Sequence, residues 1–258
     1  MTRHPYLEHP DLDPAWPIAF AHRGGHDVAP ENTMAAFAHA VSLGYRYLET
    51  DAHRTTDGVL VSFHDPDLTR TCGLDARIGE MTGSEVAGAR VRGADGTEHP
   101  IPLMSELFEA FPGARFNIDA KSDESIEPLA ALVTEFDALD RVCLASFKLT
   151  RLRRLRSLLG PRLLTNMSPT EVGSLRLAGR LPRGGHRAAQ VPEAAGQLTV
   201  VNERFVAGAH RHDIPVHVWT VNERARMERL LDIGVDGIMT DETALLREVF
   251  VDRNLWPS

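Results

Sequence analysis

The sequence predicts an α/β chain folded as a (β/α)8 barrel, and three observations carry that prediction. Apolar runs of strand length alternate with segments of helical character along the 258 residues, the order of a parallel α/β fold. Eight such runs can be counted between Ile18 and Asp241 once a ninth is set aside as a hairpin return. The ionisable residues of the early runs fall at their carboxyl ends, where such a barrel presents its chemistry.

Each element has its own local reason. IAFAHRG, starting at Ile18, is short, apolar and closed by glycine, which reads as a buried strand. After HRGG, Asn32 or Thr33 can cap a helix running to Leu43, which Gly44 terminates. YLETDA, starting at Tyr47, is the second strand. Thr55-Thr56-Asp57-Gly58 is a hairpin turn signal. VLVSFHD therefore returns antiparallel, because a parallel crossover needs a dozen or more residues. Residues 66–114 break the strand–helix alternation, with Gly-rich joints and helix candidates at 83–89 and 104–111. They read as an insertion whose composition predicts mobility. Beyond them ARFNIDA, RVCLASF, RLLTNM, AAQVP, PVHVWTV and GIMTD supply six more strands. LRLAGRLPRGGH reads as a polar loop between strands six and seven.

Composition sets outer limits. The length suits one barrel domain spanning 1–258, and 43% hydrophobic residues are enough for a sizeable core. A net charge of −8 argues against nucleic acid or an anionic membrane as the main partner. No stretch reaches membrane-spanning length and the N-terminal residues lack a signal-peptide core, so no stable membrane association is expected. The two cysteines, Cys72 and Cys143, lack metal-type spacing, and a reduced, cytoplasmic setting is the expectation. No heptad or apolar stripe speaks to oligomeric state.

Chemistry concentrates between residues 18 and 65. His22 and Arg23 end the first run, Glu49 and Asp51 the second, and His64 and Asp65 the hairpin return. Buried strands should not carry ionisable groups unless their ends open onto something polar. Side chains alternate faces along a strand, so Glu49 and Asp51 point the same way. Two adjacent carboxylates repel unless a cation or a proton lies between them. An all-oxygen pair suits Mg²⁺ or Ca²⁺ better than zinc. About an Asp57-Gly58 turn, residues whose numbers sum to about 115 face each other, which sets His64 opposite Asp51 within one residue.

These residues also carry a resemblance. HRGG followed by APENT, then ETDAHRTTDG and VSFHDPDLTRT, resembles the glycerophosphodiester phosphodiesterase family, and NIDAK, ASF, VHVWTVN and GVDGIMTD extend the match to about residue 250. The resemblance implies a TIM barrel in which 66–114 form a small layer over the C-terminal mouth. It implies His22 and His64 as the catalytic histidines, Arg23 and Lys121 at the phosphate, and Glu49 and Asp51 as ligands of one divalent cation. The third ligand is usually the Glu of an E-x-K pattern; here Asp119, one methylene shorter, stands there. The implied substrate is a small glycerophosphodiester, cleaved to glycerol 3-phosphate and an alcohol. The implied route has the glycerol 2-hydroxyl attack first, to give a cyclic phosphate that water opens. Trp219 is core by its residue type and a wall for the glycerol by the resemblance.

Other readings compete. A lysophospholipase D or phospholipase-like lyase would need an apolar groove near the mouth, and the insertion offers few contiguous large apolar residues. A non-catalytic phosphodiester-binding barrel is the reading from outside enzymology; both histidines, Arg23 and two carboxylates count against it. Arg23 could instead pair structurally with Glu49, and Asp65 could serve only to fix the turn at Pro66. His217 reads as structural, and His210 and His212 as solvent-facing despite their HxH spacing.

Overall fold

In a computed structural model that describes residues 4–179 and 185–257, eight parallel strands close into a barrel. They are Ile18–Ala21, Tyr47–Arg54, Arg115–Ala120, Val142–Ala145, Leu164–Asn166, His186–Pro192, Val216–Trp219 and Gly237–Thr240. Closure is made by the first strand, which pairs Phe20 with Tyr47 on one side and Ile18 with Gly237 on the other. A helix follows each strand among the described residues: Met34–Ser42, Met104–Ala110, Ile126–Glu135, Leu149–Leu159, Pro169–Ala178, Glu203–His210, Arg224–Asp232 and Thr243–Asp252. All eight expected strands are present.

Alternation along each strand divides the molecule into two apolar layers. Leu48 and Ala52 on the second strand, and Phe116, Ile118 and Ala120 on the third, pack into the large core beneath the helices. The intervening positions turn inwards, where Phe20, Tyr47, Cys143, Leu164 and Met239 fill the barrel with Tyr6 and Leu7. Tyr6 belongs to an N-terminal 3₁₀ turn, Pro5–Leu7, that plugs the lower end. Its ring meets Tyr47 edge-on at 5.4 Å, and the Tyr47 hydroxyl donates to the Tyr6 carbonyl at 2.8 Å. The alternation that puts Tyr47 inside puts Glu49 and Asp51 inside too, one and two layers nearer the mouth.

Thr33 is the residue that caps the first helix, its Oγ1 accepting from the Ala36 N–H at 3.2 Å. The hairpin return is present as Leu60–Ser62, antiparallel to the second strand. Its register is one residue from the expected centre. His53 lies opposite Val61, and the Phe63 N–H donates to the Asp51 carbonyl at 3.0 Å. The cause is the loop: Thr55 pairs with Val59, leaving three residues in the turn with Gly58 at φ 91°, one more than in a two-residue Asp57-Gly58 turn.

Residues 66–114 are divided by their packing. Helix Met104–Ala110 buries Met104, Leu107 and Phe108 in the barrel core. The stretch before it closes round a small cluster of its own, with Leu68, Cys72, Ile78, Val86, Val91 and Ile101 against Val61 and Phe63 of the hairpin. A two-stranded ribbon, Arg90–Arg92 with Glu98–Pro100, completes it. The LRLAGRLPRGGH reading needs correction: this stretch lies between the fifth and sixth barrel strands, and its first residues are the last turn of helix Pro169–Ala178. Residues 180–184 of it lie outside the described residues. No helix among the described residues is long and apolar enough to cross a membrane.

Candidate active site

The first strand ends in a turn that needs its glycines. Arg23 adopts φ 52° and Gly24 φ 83°. A Cβ at Gly24 would stand 2.9 Å from both Ala36 Cβ and Phe37 N at the start of the first helix. Glycine lets the turn press against that helix and aims His22 and Arg23 into the mouth. The Arg23 N–H donates to Glu49 Oε2 at 3.1 Å, tying the turn to the second strand.

All eight residues singled out from the sequence line one cavity of about 420 Å³ at the C-terminal end of the barrel: His22, Arg23, Glu49, Asp51, His64, Asp119, Lys121 and Trp219. Strand register explains part of this. Asp51 and Asp119 are direct partners on adjacent parallel strands, and Glu49 sits opposite Asn117. Lys121 Nζ lies 2.7 Å from Asp51 Oδ1 and 2.8 Å from Asp119 Oδ2, bridging the two carboxylates. Arg23 Nε approaches the other oxygen of Asp51 at 3.4 Å, and Arg23 Nη1 donates to Glu31 Oε1 at 2.9 Å. The guanidinium thus pairs with Asp51 and Glu31, while Glu49 takes only its backbone.

Each histidine is held by a carboxylate. His22 Nδ1 is 2.6 Å from Asp241 Oδ1, and His64 Nδ1 is 2.6 Å from Asp65 Oδ1. An ionised carboxylate only accepts, so both Nδ1 atoms carry protons and Nε2 is left for proton transfer. His22 Nε2 is 3.7 Å from Glu49 Oε2. Burial alone would lower the His22 pKa, but Glu49 and Asp241 outweigh it and hold the imidazole above its ordinary value. Asp241 is in turn held below the usual carboxylate range against the effect of burial, by His22 and by the Asn222 amide at 2.8 Å.

The carboxylates respond to one another. Burial and the neighbouring charge of Asp51 push Glu49 up to about 7. Burial raises Asp119 as well, with Lys121 opposing it. Asp51 goes the other way: burial would raise it, but Lys121 and Arg23 hold it down. Its Oδ2 also accepts from the Asn32 amide at 2.9 Å. Buried, oxygen-only donors with a raised carboxyl among them fit a hard divalent ion, which would offset the repulsion that raises Glu49. Among the described residues, the group that brings three metal-type ligand atoms within 4.8 Å of one another is a different one, His26, Asp27 and Glu242. There Asp27 Oδ2 already accepts from Thr243 Oγ1 at 2.6 Å and the Ala244 N–H at 2.9 Å. Glu49, Asp51 and Asp119 are more widely spread, with Lys121 lodged between two of them.

Sequence reasoning missed Asp241, Asp65 and Glu31 as partners. Asp241 ends the eighth strand, and the same rule that found the others, an ionisable group at a strand end, applies to it. Asp65, a turn residue by its sequence context, orients His64. Trp219 is half-buried with its ring edge-on to Phe147 at 5.8 Å, at the lip of the cavity. His217 lies buried inside the barrel, 3.5 Å from the Gln190 amide. His210 and His212 are not brought together: one pairs with Asp236 and the other with the Gly179 carbonyl.

A TIM barrel whose mouth gathers two carboxylate-held histidines, an arginine, a lysine and three strand carboxylates defines a phosphoric-ester hydrolase. The chain belongs to the glycerophosphoryl diester phosphodiesterase family, whose pattern it matches over residues 22–245. It is 37% identical over 249 residues to the probable glycerophosphodiester phosphodiesterase 2 of Mycobacterium tuberculosis, covering 93% of this chain and 92% of that one. The human lysophospholipase D GDPD1 is 29% identical, over 88% of this chain and 84% of its own. Among solved structures, an Oleispira antarctica phosphodiesterase in complex with the product sn-glycerol-3-phosphate superposes with a TM-score of 0.75 at 22% identity, over 92% of this chain and 97% of that one.

Proposed function

We propose that the cavity hydrolyses glycerophosphodiesters to glycerol 3-phosphate and an alcohol, with His22 and His64 as the acid–base pair. One observation carries the reading. Two histidines, each with Nδ1 tied to its own carboxylate, line the same cavity as Arg23 and Lys121. A phosphodiester resists attack because its negative charge repels nucleophiles. Arg23 and Lys121 supply fixed positive charge for the phosphoryl oxygens; Nη1 of Arg23 donates to Glu31, while its buried Nε, 3.4 Å from Asp51, makes no hydrogen bond.

In the first step the glycerol 2-hydroxyl oxygen bonds to phosphorus and the phosphorus–alcohol bond breaks. One histidine takes the hydroxyl proton while the other protonates the leaving alkoxide. Water then opens the cyclic phosphate with the two roles exchanged. Glu49 and Asp51, with Asp119 beside them, are the residues that would hold one Mg²⁺ or Ca²⁺. Bound there, the ion would neutralise phosphoryl charge and acidify a hydroxyl. A cytoplasmic setting accords with the buried free thiols of Cys72 and Cys143. We read the part of 66–114 that packs on the hairpin as a rim layer of the one barrel domain. The name of the human relative points to the same bond cleaved in a lipid, and the apolar half of the cavity favours that as a second reading. Intact catalytic pairs disfavour a binding-only barrel.

The test is product identity. Metal-stripped protein, resupplied with Mg²⁺, Mn²⁺ or Ca²⁺, is given glycerophosphocholine and glycerophosphoethanolamine. Glycerol 3-phosphate and the free alcohol are expected from at least one ion. Release of phosphocholine and glycerol instead would reverse the assignment of the scissile bond.

A further inference from the structure

One face of helix Pro169–Ala178 extends the catalytic cavity. Pro169, Val172, Gly173 and Arg176 all line that cavity, and their spacing puts them on a single stripe of the helix. Seven residues at 1.5 Å each make the stripe about 10 Å long. Gly173, in its middle, is a poor helix former. A Cβ there would meet nothing within 4 Å, so packing does not require the glycine; it leaves the groove open. At the far end Arg176 is half-buried. Its Nη2 donates to the Thr199 carbonyl at 3.3 Å, and its buried Nε makes no hydrogen bond.

Arg176 also lines a second cleft, of about 220 Å³, between this helix and helix Glu203–His210. Arg204 and Arg211 stand in its wall, both exposed, their side chains without an ion pair or hydrogen bond among the described residues. Gly208 lines the cleft as well, and a Cβ there would lie 3.7 Å from Arg211 Nη2, so that guanidinium rests over the glycine. Arg204 occupies the first turn of its helix, where a cation opposes the dipole, so it does not serve the helix. Acidic residues outnumber Lys and Arg in the chain, 36 to 28, yet no carboxylate lines the cleft among the described residues. Three guanidinium groups that repel one another, with no protein anion between them, suit a phosphate.

We propose that this cleft is a second phosphate site, reached from the catalytic cavity past Gly173 and Arg176, and that it takes a terminal phosphate on the alcohol half of the substrate. The inference rests on the phosphodiesterase reading and deepens it, naming as substrates glycerophosphodiesters whose alcohol is itself phosphorylated. The scissile phosphate stays among Arg23, Lys121 and the two histidines. The alcohol runs along the helix stripe, and its far phosphate meets Arg176, Arg204 and Arg211. No bond is made or broken in the cleft; the products are glycerol 3-phosphate and the phosphorylated alcohol. The shared arginine favours a phosphate carried by the substrate over a free one, because a separate regulator needs no opening onto the cavity.

The experiment uses glycerophosphodiesters of straight-chain diols of increasing length, each ending in either a hydroxyl or a phosphate. Glycerol 3-phosphate release is followed at saturating divalent ion with wild type and with the Arg204→Gln/Arg211→Gln double variant, at matched melting temperature. The readout at each length is kcat/KM for the phosphate-ended substrate divided by that for the hydroxyl-ended one, which cancels any general loss of activity. In wild type this ratio should pass through a maximum of about tenfold or more at the length that spans the groove, and should fall as salt is raised. The double variant should lose most of that maximum. A ratio near one at every length overturns the substrate-borne phosphate and leaves the phosphodiesterase reading standing. An undiminished maximum in the double variant overturns the assignment to Arg204 and Arg211. Inorganic phosphate is added to the hydroxyl-ended series in a separate arm. If it alters turnover in wild type and not in the double variant while the ratio stays flat, the ligand is a free phosphate and the proposed substrate class falls. No release from any substrate overturns the phosphodiesterase reading itself, and this substrate class with it.

Discussion

Asp241 governs His22 by geometry and by charge. Its carboxylate fixes the tautomer and holds the imidazole above its ordinary pKa. Asp241→Asn removes the charge and keeps the shape, so the limb of the kcat/KM profile that reports His22 should move to lower pH, with kcat down roughly ten- to a hundredfold. An unmoved profile would mean that Asp241 only packs the turn. Asp119 is the other residue on which the site turns. It pairs with Lys121 at 2.8 Å, so Asp119→Asn should free the lysine towards Asp51 and weaken divalent-ion affinity. Titration of ion binding by calorimetry checks this, and an unchanged affinity would remove Asp119 from the ligand set. At this scale the residues that enter the cavity were legible, because ionisable groups at the ends of apolar runs stand out. Their holders were less so. Asp65, Asp241 and Glu31 carry no local signal that separates an orienting carboxylate from a turn or cap residue; only the fold brings Asp241 to His22.

Strand periodicity explains why eight elements could be read. Each strand is three to eight residues long, and faces alternate strictly, so Glu49 and Asp51 had to share the inner face. The hairpin register falls within the one residue allowed for it, the offset arising because turn length depends on the φ of Gly58 and not on residue type alone. The stretch after Pro66 has Gly-rich joints and no strand–helix alternation. Its small apolar cluster joins residues far apart in sequence, Leu68 with Ile101 among them, which composition cannot register. That layer also reaches the site. Arg70 donates through Nε to Asp65 at 2.6 Å, and through Nη1 and Nη2 to Glu31 at 3.0 and 2.6 Å. Asp65 holds His64 and Glu31 holds Arg23, so a single guanidinium braces both. Arg70 is half-exposed, which limits its worth to stability. Arg70→Ala should therefore cost kcat/KM about tenfold or more with little change in melting temperature. Lysine should rescue only part of it, since a point charge cannot span two carboxylates. Full activity in the alanine variant would leave the brace without function.

For the whole molecule the raised carboxyl of Glu49 has a consequence for stability. Its pKa of about 7 lies above that of an unfolded glutamate, so the native protein binds the extra proton. This contribution is fully present below the unfolded value and is lost as pH rises through about 7. His22, also raised, acts in the same direction. Chelator-treated protein should therefore melt lower at pH 8 than at pH 5.5, and saturating Mg²⁺ or Ca²⁺ should restore more at pH 8, where Glu49 is ionised. A melting temperature that rises over this range without ion, or ion effects equal at both pH values, would contradict the picture of crowded carboxylates. The central claim is tested most directly by ³¹P NMR of glycerophosphocholine with metal-restored wild type, His22→Ala and His64→Ala at matched melting temperature. Wild type should give glycerol 3-phosphate, and each variant should fall at least a hundredfold. Undiminished glycerol 3-phosphate formation in either folded variant would contradict the acid–base pair.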